Sequence, residues 1–176
     1  MARDCLVDPF DRHLLACILA SAQTEKDRPL TEVLGLERAD LGRLLDTVFP
    51  GAYALDDLVA VDATSGSEAI EEPDFRALLL SGRREGTDVE EWFARIVVRR
   101  SLCPGHLWHS LGLNTRKELS DLLYRHFPTV AERNTRNMRW KKFFYREMCQ
   151  AEGVYLCKSP VCDVCPDFTE CFKLED

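Results

Sequence analysis

Residues 31–50 read TEVLGLERADLGRLLDTVFP, and residues 108–128 read WHSLGLNTRKELSDLLYRHFP. Both stretches contain Leu-Gly-Leu, then a polar segment that can cap a helix, then a leucine-rich helix that stops at Phe-Pro. Gly35 and Gly112 suit a tight turn between a short helix and a longer one. The two stretches therefore predict the same helix–turn–helix arrangement twice in one chain.

An amphipathic helix precedes each stretch, at about 9–23 and at about 88–102. With these helices included, the pattern predicts an internal repeat of two related three-helix units, 9–50 and 88–128. The alternative is that Leu-Gly-Leu followed by an amphipathic helix recurs by chance.

The rest of the chain also favours helices, because two-residue alternation of apolar and polar positions is scarce and β-branched residues do not cluster. We expect an all-α fold, a helical bundle with an irregular cysteine-rich metal loop at its C-terminus. The predicted helices are at about 9–23, 31–35, 38–48, 68–81, 88–102, 106–111, 115–126 and 137–150.

The length of 176 residues suggests one main domain. We expect a helical domain over residues 1–150, with an acidic loop at 51–74, and a cysteine-rich segment over 151–176. The longest apolar run, Leu14–Ala20, is too short to span a membrane, and we expect no signal peptide. We expect a cytoplasmic protein, in which reduced, clustered cysteines are more often metal ligands than disulfides.

Charge is unevenly distributed along the chain. The net charge of −7 argues against a general nucleic-acid binder. Residues 133–146 carry six basic side chains and no acid, which leaves −13 for the remaining residues. Residues 56–74 are the counterpart, with seven acids and no base.

Four cysteines lie close together near the C-terminus, with the spacing C-x4-C-x2-C-x5-C: Cys157, Cys162, Cys165 and Cys171. Prolines 160 and 166 disfavour a regular helix there, so the segment can wrap around a metal centre. The C-x4-C-x2-C spacing favours an iron–sulfur cluster. A zinc site is the second interpretation, although it commonly uses two C-x2-C pairs that lie far apart. A disulfide framework is the third, and the cysteine content is low for it.

The basic segment leads directly into these cysteines. On a helix over 137–150, one face would carry Arg139, Lys142, Arg146 and Cys149, and the other face would be aromatic. Such a basic stripe could attract molybdate, an anionic cluster or an acidic partner. The alternative is a solvated basic face that balances an acidic protein.

Several motifs together resemble the NifQ family. They are NMRWKKFFYR at 137–146, the four-cysteine spacing that ends in Cys-Phe, and His-Leu-Trp at 106–108 leading into Leu-Gly-Leu. The resemblance covers roughly residues 75–172. It implies an iron–sulfur protein that acquires molybdenum, holds it as a molybdenum–iron–sulfur cluster, and donates it to the biosynthesis of the nitrogenase iron–molybdenum cofactor. The protein would then be a metallocluster carrier rather than a turnover enzyme.

The resemblance also implies site residues. The four clustered cysteines match the family's cluster motif and would hold a 3Fe-4S or 4Fe-4S cluster. Cys149 and His106 occupy matching positions and are candidates for additional or molybdenum ligands. His109 and Ser110 depart from the expected family pattern, which puts in doubt any role for a polar or acidic side chain there.

The expected partners are the nitrogenase cofactor-assembly proteins and a source of molybdate or molybdenum–sulfur species, with neither nucleic acid nor a membrane.

Two rival classes stay open. One is an iron–sulfur DNA-repair glycosylase, which the net charge and the lack of paired glycines disfavour. The other is a zinc-stabilised interaction module. Outside the cluster, Cys17 is expected in the core and Cys103 is a weaker candidate ligand near His106.

Overall fold

The computed structural model describes residues 7–151. Within that range the protein is all-α and has no strands, as predicted. The helices are α1 Pro9–Ala22, α2 Leu30–Leu34, α3 Arg38–Val48, α4 Leu55–Leu58, α5 Glu72–Ser81, α6 Asp88–Ser101, α7 Leu107–Ser110, α8 Arg116–His126, α9 Pro128–Ala131 and α10 Trp140–Ala151.

Two predicted helices begin three or more residues later than the sequence suggested. The helix expected from residue 68 begins at Glu72, with Pro73 in its first turn, where a missing N–H costs no hydrogen bond. The helix expected from residue 137 begins at Trp140, because Asn137 has a φ of 50° and lies outside the right-handed helical region. The short helices α4 and α9 were not predicted.

The segments proposed as a repeat share their local backbone geometry. Gly35 and Gly112 are left-handed, with φ of 66° and 69°. Helices α3 and α8 are capped at their C-termini by Phe49 (φ −130°, ψ 57°) and Phe127 (φ −129°, ψ 51°), each followed by a proline that disfavours helical geometry at the residue before it. The repeat itself remains a prediction, which this common geometry supports.

Helix α6 lies at the centre of the core. Thr87 and Glu90 begin it with a capping box, in which each side chain bonds the other residue's backbone N–H. Its Trp92, Phe93 and Ile96 side chains are buried. Helix α6 packs against α2, α3, α5 and α7, so it joins the two halves of the bundle.

The aromatic face of α10 attaches it to the bundle. Trp140, Phe143 and Phe144 are all buried, and the rings of Phe144 and Phe75 in α5 lie 4.9 Å apart between centroids. The last described helix is therefore held by aromatic packing. Across the described range, no helix is both long and apolar enough to span a membrane.

Candidate functional site

The expected cluster ligands Cys157, Cys162, Cys165 and Cys171 lie outside the described residues. The structure does describe the helix that leads toward them and the surfaces around that helix. The described parts of the candidate site are α10, the loop that contains His106, and the residues packed against both.

Hydrogen bonds fix the turn that precedes α10. The side chain of Asn134 donates to the Met138 carbonyl (2.9 Å) and accepts from the Met138 N–H (2.8 Å). Arg116 donates to the Asn137 carbonyl at 2.9 Å. The left-handed conformation at Asn137 is thus held from both sides, and it sets the point at which the helix begins.

The basic stripe differs in part from its prediction. Arg139 precedes α10 instead of lying on it, because the helix begins one residue later. Lys142 is half-buried, whereas Arg146 is exposed and its Nη1 lies 3.5 Å from the sulfur of Met138. The two helical positions still lie on one side of α10, and their role in anion or partner binding stays a prediction.

Glu147, the acid within this basic region, forms an ion pair. Its carboxylate lies 3.2 Å from the Nε of Arg133, and its side chain is only 16% exposed. This contact ties the end of α10 to the segment after α9. It also neutralises one of the six charges in the basic segment.

Cys149 is buried, at 7% exposure, and so does not lie on the exposed face with Arg146. It is disulfide-bonded, and metal ligation by its sulfur would therefore require reduction to the thiolate. One turn earlier, the buried Tyr145 hydroxyl lies 3.4 Å from a carboxylate oxygen of Glu71. Cys149 thus stays a candidate ligand that needs a reduced state.

His106 lies at the start of α7, as its N-cap residue. Its ring stacks on Trp108, with centroids 6.3 Å apart and an interplanar angle of 18°. Trp108 also meets His109 edge to face at 5.6 Å. Across residues 7–151 there is no group of three or more His, Cys, Asp or Glu side chains that could hold a metal ion. Metal binding by His106 remains a prediction.

Cys103 and α10 meet directly. The Lys141 ammonium donates a hydrogen bond to the Cys103 carbonyl. The Cys103 thiol is free and half-buried. The loop that carries Cys103 and His106 is therefore fixed against the first turn of the helix that leads to the cysteine-rich segment.

Two buried arginines at the end of α6 were missed in the sequence. Arg99 and Arg100 are 7% and 6% exposed. Arg99 pairs with the buried Glu72 at 3.0 Å, and Arg100 pairs with Glu25 at 2.6 Å. The available signal was a pair of adjacent cations near the end of a helix whose other side chains are largely apolar.

Cys17 was expected in the core; it is half-buried and packs against the core from outside. Its sulfur lies 3.8 Å from the Nε2 of His13, and His13 in turn bonds Glu118 at 2.9 Å. Burial, with a smaller contribution from the Glu118 carboxylate, raises the pKa of the Cys17 thiol. The neutral thiol is favoured, which suits a packing role better than metal ligation.

Together these features define a class: a small all-α protein in which the last described helix, basic and aromatic, leads into a segment of four clustered cysteines. The chain belongs to the NifQ family, whose model matches residues 14–173.

Curated relatives support this assignment. The chain is 42% identical to the protein NifQ homolog of Sinorhizobium fredii over 93% of this chain and 72% of the relative. It is 52% identical to protein NifQ of Azotobacter vinelandii over 58% of this chain and 52% of that protein. It is 43% identical to protein NifQ of Rhodobacter capsulatus over 82% of this chain and 78% of that protein. No solved structure matches the chain.

Membership in this family makes the chain a nitrogen-fixation protein. The comparisons favour neither a DNA-repair glycosylase nor a zinc-stabilised module, since each relative carries the name NifQ.

Proposed function

We propose that the protein is an iron–sulfur carrier that acquires molybdenum and donates it, as a molybdenum–iron–sulfur cluster, to the biosynthesis of the nitrogenase iron–molybdenum cofactor. One observation carries this proposal. The family match runs to residue 173 and so includes all four clustered cysteines together with α10.

The donor chemistry fits the proposal. Four thiolates, from Cys157, Cys162, Cys165 and Cys171, are soft ligands that suit iron and reduced molybdenum better than a site of hard oxygen ligands would. The iron–sulfur cluster would be the resident group and molybdenum the cargo. His106 and reduced Cys149 are the remaining candidates for contact with the cargo.

The described residues supply a rigid base for such a segment. Three aromatic side chains of α10 are buried in the bundle, and Glu147 pairs with Arg133 near the end of this helix. Lys142 and Arg146 place positive charge along the same helix, which would attract an anionic cluster, molybdate or an acidic partner. We propose the cofactor-assembly proteins as partners and the cytoplasm as the location.

The experiment is single replacement of each clustered cysteine by alanine, with iron, sulfide and visible absorbance measured on anaerobically purified protein. Each variant is expected to lose the colour and most of the iron. Cys17→Ala is the matched control, since this thiol packs against the core, and it should keep both. If one variant keeps full iron, that residue is not a ligand; if all four do, the proposal is wrong.

A further inference from the structure

The connection between α3 and α5, residues 49–71, concentrates exposed apolar side chains. Four large hydrophobic side chains are exposed within residues 7–151, and three of them belong to this connection. They are Tyr53, Val61 and Ile70, which are 48%, 80% and 94% exposed. A single exposed apolar side chain is ordinary, but such a concentration favours an interaction surface.

Hydrogen bonds hold Ile70 in its exposed position. Glu72 is buried, pairs with Arg99 at 3.0 Å, and accepts from the Ala69 N–H at 2.9 Å. Arg99 also donates to the Ser65 carbonyl at 2.8 Å. The backbone on both sides of Ile70 is therefore fixed to α6 through one buried arginine. Because this exposure is a property of the fold, a partner can cover Ile70 without first ordering a loop.

Val61 is held in a similar way against α3. Arg38 donates to the carbonyl of Ala60, the preceding residue, at 3.2 Å, and it also pairs with Asp56. The two most exposed of these apolar side chains therefore extend from fixed points on a single connection.

The acidic charge of this region is only partly neutralised. Residues 56–74 contain seven acidic side chains and no basic one. Three of the acids, Asp56, Glu68 and Glu72, pair with arginines of the bundle. The other four form no ion pair within residues 7–151 and leave four negative charges without a counter-ion there: Asp57, Asp62, Glu71 and Asp74.

The end of this connection adjoins α10. The Glu71 carboxylate lies 3.4 Å from the hydroxyl of Tyr145. The Phe75 ring packs against Phe144 and Tyr145, with centroids 4.9 and 6.1 Å away. Helix α10 then leads toward the cysteine-rich segment. A partner bound at Ile70 therefore lies beside the helix that leads to the expected cluster.

We propose that the exposed side chains of residues 53–74, the acidic face, dock a basic protein that receives the molybdenum cargo. Ile70 and Val61 are the apolar anchors, and the four unpaired carboxylates attract lysine and arginine side chains of the partner. A surface of this charge repels nucleic acid and anionic lipid, so a basic protein is the partner that it fits. That this protein is the recipient of the cargo rests on the proposed function; the docking itself does not.

The test titrates each purified nitrogenase cofactor-assembly protein with the full-length chain by calorimetry, at low and at high salt. We expect at least one of these proteins to bind, and to bind more weakly as salt rises, because exposed charges are screened. Ile70→Ser should weaken this binding by roughly tenfold or more, through the loss of one buried aliphatic side chain. Asp74→Lys should weaken the binding and reduce its dependence on salt. Glu132→Lys reverses an exposed acid after α9 and is the matched control, which should bind as the natural protein does.

Iron and molybdenum are measured on the same samples, which separates this inference from the proposed function. The variants should keep the metal content of the natural protein. Binding that Ile70→Ser and Asp74→Lys leave unchanged, no binding by any of the assembly proteins, or self-association of the chain through Ile70 would each overturn the inference. A natural protein that binds an assembly protein but holds neither iron nor molybdenum would contradict the proposed function and leave the docking surface standing.

Discussion

Gly112 lies directly against Ser21: a β-carbon added at Gly112 would stand 2.3 Å from the β-carbon of Ser21. The relationship is reciprocal, because a β-carbon at Gly35 would stand 3.0 Å from the β-carbon of Arg99. Ser21 belongs to α1 and Arg99 to α6. The Leu-Gly-Leu turn of each half therefore packs on the first helix of the other half, which supports the prediction of an internal repeat.

Replacement of Gly112 by alanine should be strongly destabilising. The left-handed backbone, with φ of 69°, costs an L-residue about 1–2 kcal/mol. The clash with Ser21 should add about 1–3 kcal/mol, as overpacking does elsewhere. Denaturant unfolding of Gly112→Ala against the natural protein measures the sum.

Gly51→Ala separates the two contributions. Gly51 has a similar φ of 74°, but no atom of residues 7–151 lies within 4 Å of an added β-carbon. Gly51→Ala should therefore lose only the cost of the left-handed backbone, about 1–2 kcal/mol in the free energy of unfolding, and nothing from a clash. Equal losses in Gly112→Ala and Gly51→Ala would show that the contact between the halves is not tight.

The buried pair of Arg99 and Glu72 should be costly to break. Arg99 is 7% exposed, pairs with Glu72 at 3.0 Å, and also donates to the carbonyls of Glu32 and Ser65 at 2.7 and 2.8 Å. Glu72→Leu leaves this cation without its counter-ion, so we expect a loss of about 3 kcal/mol or more in the free energy of unfolding.

Arg43→Met is the control for that measurement, because Arg43 pairs with Asp40 and Asp88 at the surface, with its side chain 58% exposed. Loss of an exposed pair should cost at most about 1 kcal/mol. A similar loss in both variants would mean that the Arg99 pair contributes no more than a surface contact.

Glu90 should make folding stability depend on pH in the acidic range. Burial acts to raise the pKa of its carboxyl, but backbone N–H groups of residues 84–87 donate to it and hold its pKa below the ordinary 4.5. A carboxyl with a lowered folded-state pKa stabilises the fold above its unfolded pKa, and this contribution is lost as pH falls through the folded-state value.

Glu90→Gln should therefore be less stable than the natural protein at pH 7, by about 1–3 kcal/mol. The difference should shrink as pH falls below about 4.5, the window set by the lowered pKa. Thermal unfolding of both proteins across this range is the measurement. A difference that does not change with pH would show that the Glu90 charge contributes nothing.

Local sequence signals determined most of the fold. Leucine spacing, the polar segments and the Phe-Pro ends predicted α3 and α8 closely, and the amphipathic pattern at 88–102 predicted α6, because these signals act within a few residues. The start of α10 was placed too early because the left-handed turn at Asn137 depends on bonds from Asn134 and Arg116. Arg116 and Asn137 are 21 positions apart and meet only in the folded chain.

The candidate site could be predicted from the sequence only in part. The four clustered cysteines were recognisable because all their potential ligands lie within one short segment. The ion pair of Glu25 and Arg100 was not, since these residues are 75 positions apart and meet only when the two halves pack together. Burial of Cys149 was missed for a similar reason: helical periodicity alone does not show which surface the bundle covers.

The basic residues of α10 should affect molybdenum loading or transfer. Lys142→Glu with Arg146→Glu reverses two charges along the helix and should lower both processes while the iron content stays unchanged. Lys117→Glu is the matched control, since Lys117 is 80% exposed on α8. Unchanged loading and transfer in the double variant would show that the basic stripe is an ordinary solvated surface.

Elemental analysis of protein purified without oxygen tests whether the chain holds an iron–sulfur cluster, with iron, sulfide, molybdenum and zinc measured on one sample. We expect iron and sulfide in the ratio of a 3Fe-4S or 4Fe-4S cluster, with molybdenum present after molybdate is supplied during expression. Zinc alone, in a colourless protein, would contradict the account.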